Sequence, residues 1–396
     1  MQPTSWIELS RKALRHNVQV LRSASESGGR RPLLCTMVKG NAYGHGLEPV
    51  ARELVAAGVP WLGTCDLREI EELRQKGLPA ALYNVGWLPP DHAARAVQLD
   101  ARLVVYDEAV VAACSEAARL AGLRANLHVK VETGNNRQGL RHDDAVRMAV
   151  RIGRDPHLRL EGLSTHFADV EDTTDHRFAR AQLERFETTA AAVRTALGLP
   201  PAGHPDDHLL CHASNTAAVL LWPEVCGGLV RAGIGVYGLW PSKETRLSAS
   251  ELGRRHLELQ PVLTWKARIA QLRDVPTGEY VGYGRTFRTV RPTRLALLPI
   301  GYYDGYDRGL SNLGQVLVCG QRARVIGRVA MNIVTVDVTD CPQVAVGDEA
   351  VLLGAQAARD GEGDRISADE MAGWLGTIHY EVTTRLGQHL PRVVVQ

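Results

Sequence analysis

The stretch LLCTMVKGNAYGHGLEPVARELV (residues 33–55) contains one complete strand–turn–helix unit. It begins with a short apolar run, 33–39, which is typical of a strand that is covered on both faces of a sheet. A glycine-rich turn follows, in which Tyr43, Gly44 and Gly46 are expected to open the next helix. Helical spacing of apolar residues predicts that helix, with Gly58 just beyond its end. The apolar residues are Leu47, Val50, Ala51, Leu54 and Val55.

The same alternation of short apolar runs and longer amphipathic segments continues to about residue 240. The runs that read as buried strands are LLCTMVK (33–39), WLGTCD (61–66), LYNVG (82–86), ARLVVYD (101–107), ANLHVKVETG (125–134), RLEGLSTHFAD (159–169), LLCHASN (209–215) and LVRAGIGVYG (229–238). Two of the intervening helices are closed by Gly122 and by Gly198. Eight strand–helix alternations over roughly 200 residues favour a (β/α)8 TIM-like barrel over a doubly wound sheet.

The sequence changes character after about residue 255, where strand-like runs are separated by turns and show little helical pattern. These runs are VLTWKARIAQL (262–272), TRLALLPIG (293–301), QVLVCG (315–320), ARVIGRV (323–329) and IVTVDVT (333–339). They predict a mostly antiparallel β domain. We therefore expect a barrel over residues 10–245 and a β domain over residues 250–396, with residues 1–9 as a candidate strand of the second domain. The smaller elements expected there are helices over 368–375 and 378–386 and a tail strand in RVVVQ.

The composition of the 396-residue chain restricts the class of protein. A hydrophobic share of 45% and a charged share of 23% are those of a folded globular protein. The formal charge of only +2 gives no basic surface for nucleic acid. Neither a membrane span nor a secretion signal is expected, because no apolar run reaches roughly 18–20 residues and the N-terminal stretch lacks a basic segment followed by an apolar one. Seven scattered cysteines without a CxxC pair indicate free thiols in a reducing cytoplasm.

In a barrel of this kind, functional side chains lie at the carboxyl ends of the strands and in the loops that follow. This rule selects Lys39, Tyr43, Lys130, Arg137, His166, Asn215, Thr216, Arg231 and Gly233. Lys39 ends the first strand, where a lysine is either a solvated charge at the rim or, among other cations, an amine held in its neutral nucleophilic form. The second interpretation suits an imine with pyridoxal phosphate, whose phosphate would bind to the loops after the seventh and eighth strands.

The fifth strand is unusual because polar residues alternate with apolar ones in a strand that should be covered on both faces. His128, Lys130 and Glu132 share one face of LHVKVETG. Either Lys130 and Glu132 form an internal salt bridge, or this face lines a polar site in which Lys130 approaches Arg137. In the second case the charge of Lys130 requires neutralisation.

Nine segments along the chain resemble those of the alanine racemases, the barrel-type pyridoxal phosphate enzymes, in order and approximate spacing. They are TMVKGNAYGHG (36–46), HVKVETGNNRQGL (128–140), STHFAD (164–169), HASNTAA (212–218), RAGIGVYG (231–238), VGYGRTF (281–287), PIGYYDGYDR (299–308), GRVAMN (327–332) and HYEVTTRL (379–386). The series covers nearly the whole chain. The resemblance therefore implies a pyridoxal 5'-phosphate-dependent amino-acid racemase, with alanine as the first expectation for its substrate.

The resemblance also implies the two groups that move the proton. Lys39 would hold the cofactor as an imine and, once released by substrate, act as one acid/base. Tyr283, in the segment VGYGRTF, would be the other acid/base on the opposite face of the substrate. In the family this tyrosine comes from the partner subunit, so a head-to-tail homodimer with shared active sites is implied. Two bases suit racemisation because the proton leaves one face of the α-carbon and returns to the other.

The other residues that the resemblance implies surround the cofactor and the substrate. The cofactor-binding set would include Tyr43, Asn215, Thr216, Gly233, Ile234 and Tyr380, most of them at the phosphate. His166 would lie beside the pyridine ring, and Arg231 would face the ring nitrogen and leave it unprotonated. Arg137 would bind the phenolic oxygen near the substrate carboxylate, which Met331 of the partner subunit would also bind through its backbone amide. Lys130 matches a lysine that is often carbamylated in the family, and a carbamate would turn this buried cation into an anion able to hold Arg137.

Several residues depart from the usual family pattern, and they leave the preferred amino acid open between alanine, serine and a broader set. Gly40 follows the lysine in place of alanine, and Thr216 stands in place of serine. GNNRQG contains Asn135 and Asn136, GYYDGYDR contains Tyr303, and GRVAMN ends in Asn332. A pocket distinguishes one methylene by only about 1–3 kcal/mol.

Other functions remain as alternatives at this point. A barrel-type pyridoxal phosphate decarboxylase would share the architecture but would not need Tyr283. A metal-assisted aldolase or dehydratase is disfavoured, because no convincing His/Cys metal pair lies near the C-terminus. The cluster of His204, Asp206, Asp207 and His208 lies in a long loop and is expected to be solvated, so no metal is predicted. A non-enzymatic cofactor carrier would lack the second domain. The D-amino acid would serve either as a peptidoglycan precursor or in a specialised pathway.

Overall fold

Eight short parallel strands form a nearly closed barrel, as the alternation of strands and helices predicted. The computed structural model describes residues 3–26, 29, 31–358 and 361–396. The first strand of the chain, β1 (Ser5–Ser10), belongs to the C-terminal sheet. The barrel strands are β2 (Leu33–Met37), β3 (Trp61–Thr64), β4 (Ala81–Asn84), β5 (Ala101–Val105), β6 (Ala125–Lys130), β7 (Leu158–Ser164), β8 (Leu210–His212) and β9 (Leu229–Ala232).

The barrel strands are hydrogen-bonded in chain order from β2 to β8, and β9 pairs with β2. The remaining seam, between β8 and β9, is bridged by two backbone hydrogen bonds. The amide of Gly228 donates to the carbonyl of Cys211 at 3.1 Å, and that of Arg231 donates to Ser214 at 3.0 Å. All eight carboxyl ends therefore lie at one end of the barrel, where functional side chains collect.

Helices alternate with the barrel strands along the chain. They are Arg11–Glu26, Leu47–Ala56, Leu67–Gln75, Ala93–Gln98, Glu108–Ala121, His142–Arg154, Arg177–Leu197, Thr216–Leu221 and Lys243–Glu251. The predicted glycine stops are confirmed, since Gly122 and Gly198 adopt φ values of 65° and 62° after their helices. Asp107 begins one helix by accepting a hydrogen bond from the amide of Ala109.

The expectation that Tyr43, Gly44 and Gly46 open the next helix is wrong. That helix begins at Leu47, and the four residues from Gly40 to Tyr43 all have φ between 53° and 63°. A left-handed backbone costs a residue with a side chain about 1–2 kcal/mol. Contacts from elsewhere in the fold must therefore stabilise this turn, which directly follows Lys39.

The second unit is built on a mostly antiparallel sheet. Its strands are β1 with β10 (Leu263–Arg268), β11 (Gln271–Val275), β14 (Thr293–Leu298), β15 (Gln315–Val318), β16 (Gln321–Val325), β17 (Val334–Asp337), β18 (Glu349–Ala358), β19 (Gly361–Ile366) and β20 (Arg392–Val395). A separate two-stranded ribbon joins β12 (Tyr280–Val281) to β13 (Phe287–Arg288). β1 pairs antiparallel with β10 and parallel with β20. Two helices, Ala368–Leu375 and His379–Thr384, follow β19.

The chain forms two compact units. The sheet unit consists of Met1–Lys12, Tyr43–Pro49 and Pro261–Gln396, and the barrel unit consists of Ala13–Ala42 and Val50–Gln260. The segment from Tyr43 to Pro49 is grouped with the sheet unit although it lies inside the predicted barrel range. Among the described residues, no helix has both the length and the apolar content needed to cross a bilayer.

Two details of the sheet differ from the sequence expectation. The run predicted as one strand over 262–272 is two strands, because Ile269 donates its amide to Asp348 and Ala270 donates to Leu297, so the chain changes its pairing partner between them. The hairpin of β18 and β19 had no sequence signal, because its outer residues, such as Ala355 and Ala357, are small and exposed and show no apolar alternation.

Candidate active site

The barrel places nine of the predicted site residues at the carboxyl ends of its strands or in the loops that follow. They are Lys39, Lys130, Arg137, His166, Asn215, Thr216, Arg231, Gly233 and Ile234. Four further predicted residues belong to the sheet unit. They are Tyr43, Tyr283, Met331 and Tyr380.

Lys39 directly precedes the left-handed turn, which is held in place by a distant carboxylate. Glu69, on the helix Leu67–Gln75, accepts hydrogen bonds from the amide of Asn41 at 3.2 Å and from the amide of Cys65 at 3.2 Å. Burial raises the pKa of Glu69, although these amide hydrogen bonds oppose that shift. On the other side of Lys39, the Tyr237 hydroxyl donates to the carbonyl of Met37 at 2.8 Å. The lysine backbone is therefore fixed both before and after the residue.

Lys130, Arg137 and His166 line one cavity together with Glu132 and Asn135. The loop that carries Arg137 is closed by an amide hydrogen bond from Glu132 to the carbonyl of Leu140 at 2.8 Å and one from Leu140 to Lys130 at 2.9 Å. Three of these side chains are basic, and Glu132 is the carboxylate beside them. The polar face of the fifth strand thus opens into a polar site, which favours the second of the two sequence interpretations.

The electrostatics of this cavity disfavour further positive charge. Burial, followed by the charges of Arg231 and Arg137, holds the pKa of Lys130 well below its usual value. Burial and then the charges of Lys130 and Arg231 also hold the pKa of His166 well below the ordinary range of histidine. Both side chains are consequently biased towards their neutral forms.

Arg231 is buried, and protein acceptors engage both of its terminal nitrogens. One nitrogen (Nη1) donates to His212, to the carbonyl oxygen at 3.0 Å and to the ring nitrogen Nδ1 at 2.5 Å. The other (Nη2) donates to the carbonyls of Thr165 at 2.7 Å and Ala213 at 3.0 Å, and His166 Nδ1 lies 3.5 Å away. These contacts fix the orientation of the guanidinium.

The loops after the seventh and eighth strands are joined by the hydroxyl of Thr216. This oxygen accepts the amide hydrogen of Gly233 at 2.9 Å, so its own proton is directed elsewhere. Asn215 begins the helix Thr216–Leu221 by accepting the amide hydrogen of Ala218 at 3.0 Å, and its side-chain nitrogen donates to Glu171 at 2.9 Å. Asn215 therefore positions the loop through contacts with protein groups.

Within the sheet unit, Tyr43 and Tyr380 lie together, with ring centroids 6.2 Å apart. The backbone next to Tyr43 is closely packed, because a Cβ on Gly44 would lie 1.8 Å from the carbonyl oxygen of Thr383. Only glycine fits there. The close approach places Tyr43 beside the short helix that carries Tyr380.

Tyr283 and Met331 are exposed surface residues of the sheet unit, with 75% and 54% of their areas accessible. Met331 is held by a neighbouring loop, since its carbonyl accepts the amide hydrogen of Tyr303 at 3.1 Å. That loop is fixed by buried Asp304, which accepts from the amide of Gly301 and lies 2.8 Å from Nε2 of His389.

The sequence reasoning missed several residues that support this site. Glu69 looks like an ordinary acidic residue in the first turn of a helix, and no sequence signal marks its contact with the turn after Lys39. His128 belongs to the polar face of the fifth strand, but the sequence pattern indicates no role for it. Glu161 and His212 carry the same signal, a polar residue within a strand that is covered on both faces.

A (β/α)8 barrel with a lysine and further cations at its mouth, followed by an antiparallel sheet, defines a barrel-type enzyme with a cationic site. Two family descriptions match the chain, "Alanine racemase, N-terminal domain" over residues 9–241 and "Alanine racemase, C-terminal domain" over residues 262–394. The chain belongs to the alanine racemase family, a family of isomerases, which confirms the family and enzyme class expected from the sequence.

Individual relatives match over nearly their whole length. The alanine racemase of Desulfovibrio desulfuricans is 38% identical over 394 residues, which cover 99% of this chain and 98% of the relative. That of Syntrophobacter fumaroxidans is 39% identical over 387 residues, with 97% and 96% covered. Among solved structures, the alanine racemase of a D-cycloserine-producing Streptomyces lavendulae superposes with a TM-score of 0.86 at 35% identity, covering 100% of this chain and 98% of that one.

Proposed function

We propose that the protein is a pyridoxal 5'-phosphate-dependent racemase that interconverts L-alanine and D-alanine. The observation that carries the proposal is the cluster of basic side chains at the carboxyl ends of the barrel strands, which Lys39 adjoins, in a chain whose full-length relatives are named alanine racemases. The names of these relatives favour alanine over serine or a broader substrate set. No side chain of the cluster provides a reason to prefer a larger substrate.

The residues at the barrel mouth fit the cofactor by the chemistry of their donors. Burial, and then the charges of neighbouring basic groups, hold the pKa values of Lys130 and His166 low, and an anionic ligand at this site relieves the repulsion among those groups. Lys39 would hold the cofactor through its amine, and Arg231 and His166 would contact its ring. Thr216 has a hydroxyl proton to donate, because its oxygen already accepts from Gly233. The phosphate would bind there and to Ile234, Tyr43 and Tyr380, while Asn215 orders the loop.

The cofactor, when bound, supplies a π system that accepts the electron pair left on the α-carbon. Lys39 exchanges a proton with one face of that carbon, and Tyr283 of the partner subunit exchanges a proton with the other. Arg137 and the partner subunit's Met331 bind the substrate carboxylate. Arg231 cannot readily donate a proton, so it keeps the ring nitrogen unprotonated and limits side reactions.

Exposure of Tyr283 and Met331 supports a head-to-tail homodimer. Two further large side chains are exposed beside Met331, with 60% of the area accessible for Tyr303, whose amide donates to the carbonyl of Met331, and 47% for Ile333. Exposed apolar groups of this size mark interaction surfaces. In the proposed dimer they are covered, and each active site takes its tyrosine from the other subunit.

Lys130 is the proposed carbamylation site. Burial and neighbouring cations favour its neutral amine, which is the form that reacts with carbon dioxide. The carbamate would be an anion beside Arg137, with which Lys130 shares a cavity. We further propose a reducing cytoplasm as the location and the supply of D-alanine for peptidoglycan precursors as the role.

The test is to incubate the cofactor-loaded enzyme with L-alanine, L-serine and a panel of larger L-amino acids in D₂O. Chiral chromatography with mass detection should show D-alanine labelled with deuterium at the α-carbon, formed faster than any other D-amino acid. Carbon dioxide release without D-amino acid would instead identify a decarboxylase. The Lys39→Ala variant, treated in the same way, provides the blank.

A further inference from the structure

Three polar residues deep in the barrel are not used by the proposed mechanism. His128 and His212 are fully buried, and Glu161 is 5% exposed. They lie on the fifth, seventh and sixth barrel strands, respectively. A buried polar group is costly unless hydrogen-bonded, so each of them needs a partner within the barrel.

The three side chains form a continuous chain of hydrogen bonds that ends at Arg231. Glu161 Oε2 lies 3.1 Å from His128 Nε2. His128 Nδ1 lies 2.9 Å from His212 Nε2. His212 Nδ1 lies 2.5 Å from Nη1 of Arg231. Every nitrogen of both imidazole rings is therefore engaged.

Gly162 provides the space that this series of hydrogen bonds needs. His128 reaches from the fifth strand to the seventh, passing over the sixth at Gly162. A Cβ on Gly162 would lie 2.3 Å from His128 Nδ1 and 2.5 Å from the carbonyl oxygen of Leu210. The register between the fifth and sixth strands also shifts between Leu127 and His128. Backbone and side chain together leave room for the ring.

The hydrogen-bonding chemistry of Arg231 and Glu161, at the two ends of this series of hydrogen bonds, determines which ring nitrogens carry a proton. A guanidinium can only donate, so His212 Nδ1 must accept from Arg231 and carries no hydrogen. His212 is then protonated at Nε2 and donates to His128 Nδ1. By the same logic His128 is protonated at Nε2 and donates to Glu161, whose ionised carboxylate only accepts. One arrangement satisfies all three hydrogen bonds, with both rings neutral.

The pKa directions of the three residues are consistent with this assignment of protons. Burial, then Arg231, holds the pKa of His212 well below its usual value, and burial also lowers that of His128. Burial alone would raise the pKa of Glu161, but the hydrogen bond from His128 and the charges of Arg102 and Arg159 bring it below its usual value. Both arginines lie near the carboxylate, with Arg102 Nε 3.5 Å from Oε2 and Arg159 Nη1 3.9 Å from Oε1.

We propose that Glu161, His128 and His212 form a one-directional hydrogen-bond relay that holds the guanidinium of Arg231 in place. The other groups that accept from Arg231 are backbone carbonyls and His166, which are dipoles rather than charges. Tyr83 and Trp61 pack against His128 with ring centroids 4.8 Å and 5.9 Å away, so the relay runs through an interior lined by aromatic rings. Successive hydrogen bonds in such surroundings polarise one another. No proton is transferred along the relay, and its three members are positioning residues.

The consequence for catalysis rests on the proposed function, in which Arg231 faces the cofactor ring nitrogen. A guanidinium fixed in orientation keeps that nitrogen unprotonated through every turnover. If the relay is reversed, the Nδ1 hydrogen of His212 meets an Arg231 hydrogen, and the arginine must move. The relay would therefore keep Arg231 in the orientation in which it faces the ring nitrogen of the bound cofactor.

The first test locates the hydrogens directly. Neutron diffraction from deuterium-exchanged crystals of the holoenzyme at pH 7.5 should show deuterium on Nε2 and none on Nδ1 of both His128 and His212. Deuterium on Nδ1 of either ring overturns the proposal. This experiment needs no variant and does not depend on turnover, so it remains informative whether or not alanine is the substrate.

The second test weakens the direction of the relay while keeping its shape. In Glu161→Gln the amide can donate as well as accept, so only the Arg231 end still sets the tautomers of the two rings and the reversed arrangement becomes accessible. We expect kcat to fall roughly 10- to 100-fold with KM within about twofold, together with a changed absorbance maximum of the bound cofactor. Glu116→Gln is the matched control, because Glu116 forms an exposed ion pair with Arg119 on a helix outside the barrel.

The outcomes separate the relay from a merely structural role and from the proposed function. If Glu161 had only a structural role, Glu161→Gln would lower the amount of folded holoenzyme but leave the absorbance spectrum per bound cofactor unchanged. An unchanged spectrum together with wild-type kcat would contradict the relay. Failure of the proposed racemase activity would appear as absent α-deuteration in the wild type. That result leaves the neutron assignment of the hydrogens standing by itself.

Discussion

Lys39 and Tyr283, the two proposed acid/base residues, differ in how their backbone is held and in how their surroundings expose them. Lys39 follows a buried strand, between a carbonyl held by Tyr237 and a turn held by Glu69. Tyr283 is 75% exposed and stands between two glycines, Gly282 and Gly284, with φ of 73° and 71°. One group is fixed by its own chain, whereas the other is presented outwards. This difference is what a site completed by a second subunit requires, because the inner half must be rigid and the outer half must be accessible to a partner.

Replacement of Lys39 by alanine should have the largest effect. We expect racemisation of both enantiomers to fall about 10⁴-fold and the absorbance of the lysine-bound cofactor to disappear, since the same amine holds the cofactor and exchanges the proton. Activity assays in both directions and absorbance spectra check this. Lys243→Ala, at an exposed helix start, is the control and should behave like the wild type. Retained cofactor absorbance in Lys39→Ala would show that another amine binds it.

Replacement of Tyr283 by phenylalanine should impair proton exchange about 10²- to 10⁴-fold, with unequal effects on the two enantiomers, because the phenol serves one face of the α-carbon. Initial rates from L-alanine and D-alanine measure the asymmetry. Tyr280→Phe is the control, since Tyr280 is also exposed, with 52% of its area accessible, and lies near Arg285 and Arg288. Equal loss for both enantiomers would argue against the two-base assignment.

Mixing the two inactive variants tests whether the site is shared. In a hybrid dimer of Lys39→Ala and Tyr283→Phe subunits, one site would contain both native groups and the other neither. Random exchange of equal amounts should restore about a quarter of the wild-type activity. If both groups act within one subunit, no hybrid contains an intact site and activity stays at the level of the variants.

Replacement of Glu69, which holds the turn after Lys39, should have an effect of intermediate size. In Glu69→Ala, the amides of Asn41 and Cys65 lose their acceptor, so the left-handed turn is no longer held. We expect kcat to fall about tenfold through displacement of Lys39, and the free energy of unfolding to fall by about 1–2 kcal/mol. Enzyme kinetics and urea unfolding provide the two numbers. Glu72→Ala, exposed on the same helix, should change neither, and wild-type kcat in Glu69→Ala would show that Lys39 needs no such support.

The same contrast explains how far the sequence could be read. The barrel was predictable because each of its strands is covered on both faces and reads as an apolar run, and Lys39 was predictable from the motif around it. The turn after Lys39 was not, because Ala42 and Tyr43 disfavour positive φ, and Asn41 adopts it occasionally as a single residue rather than in a run. A residue 28 positions away stabilises that turn, and local propensity contains no information about such a contact.

The buried relay shows a second limit. His128 stood out as a polar residue in a strand that should be apolar, yet its partners Glu161 and His212 lie 33 and 84 positions away. The sequence indicated that something polar lay inside the barrel, and only the fold showed which groups met. For Tyr283 the situation is reversed. Its sequence motif indicates its role, whereas the structure of one subunit shows only an exposed side chain, which would act in the site of a partner subunit.

The smallest predicted effect is on the pH dependence of the free energy of unfolding, measured on the cofactor-free protein. Because the folded pKa of His166 lies well below its unfolded value near 6.5, the unfolded chain binds the extra proton first as the pH falls. The free energy of unfolding should therefore decrease as the pH drops from about 7 towards 5, with His166 contributing up to about 1.4 kcal/mol per pH unit. In His166→Gln the slope should be shallower by up to one proton in urea titrations. His204→Gln, in an exposed loop of the same unit, is the control, and equal slopes for the two variants would mean that His166 binds its proton equally well in the folded and unfolded chains.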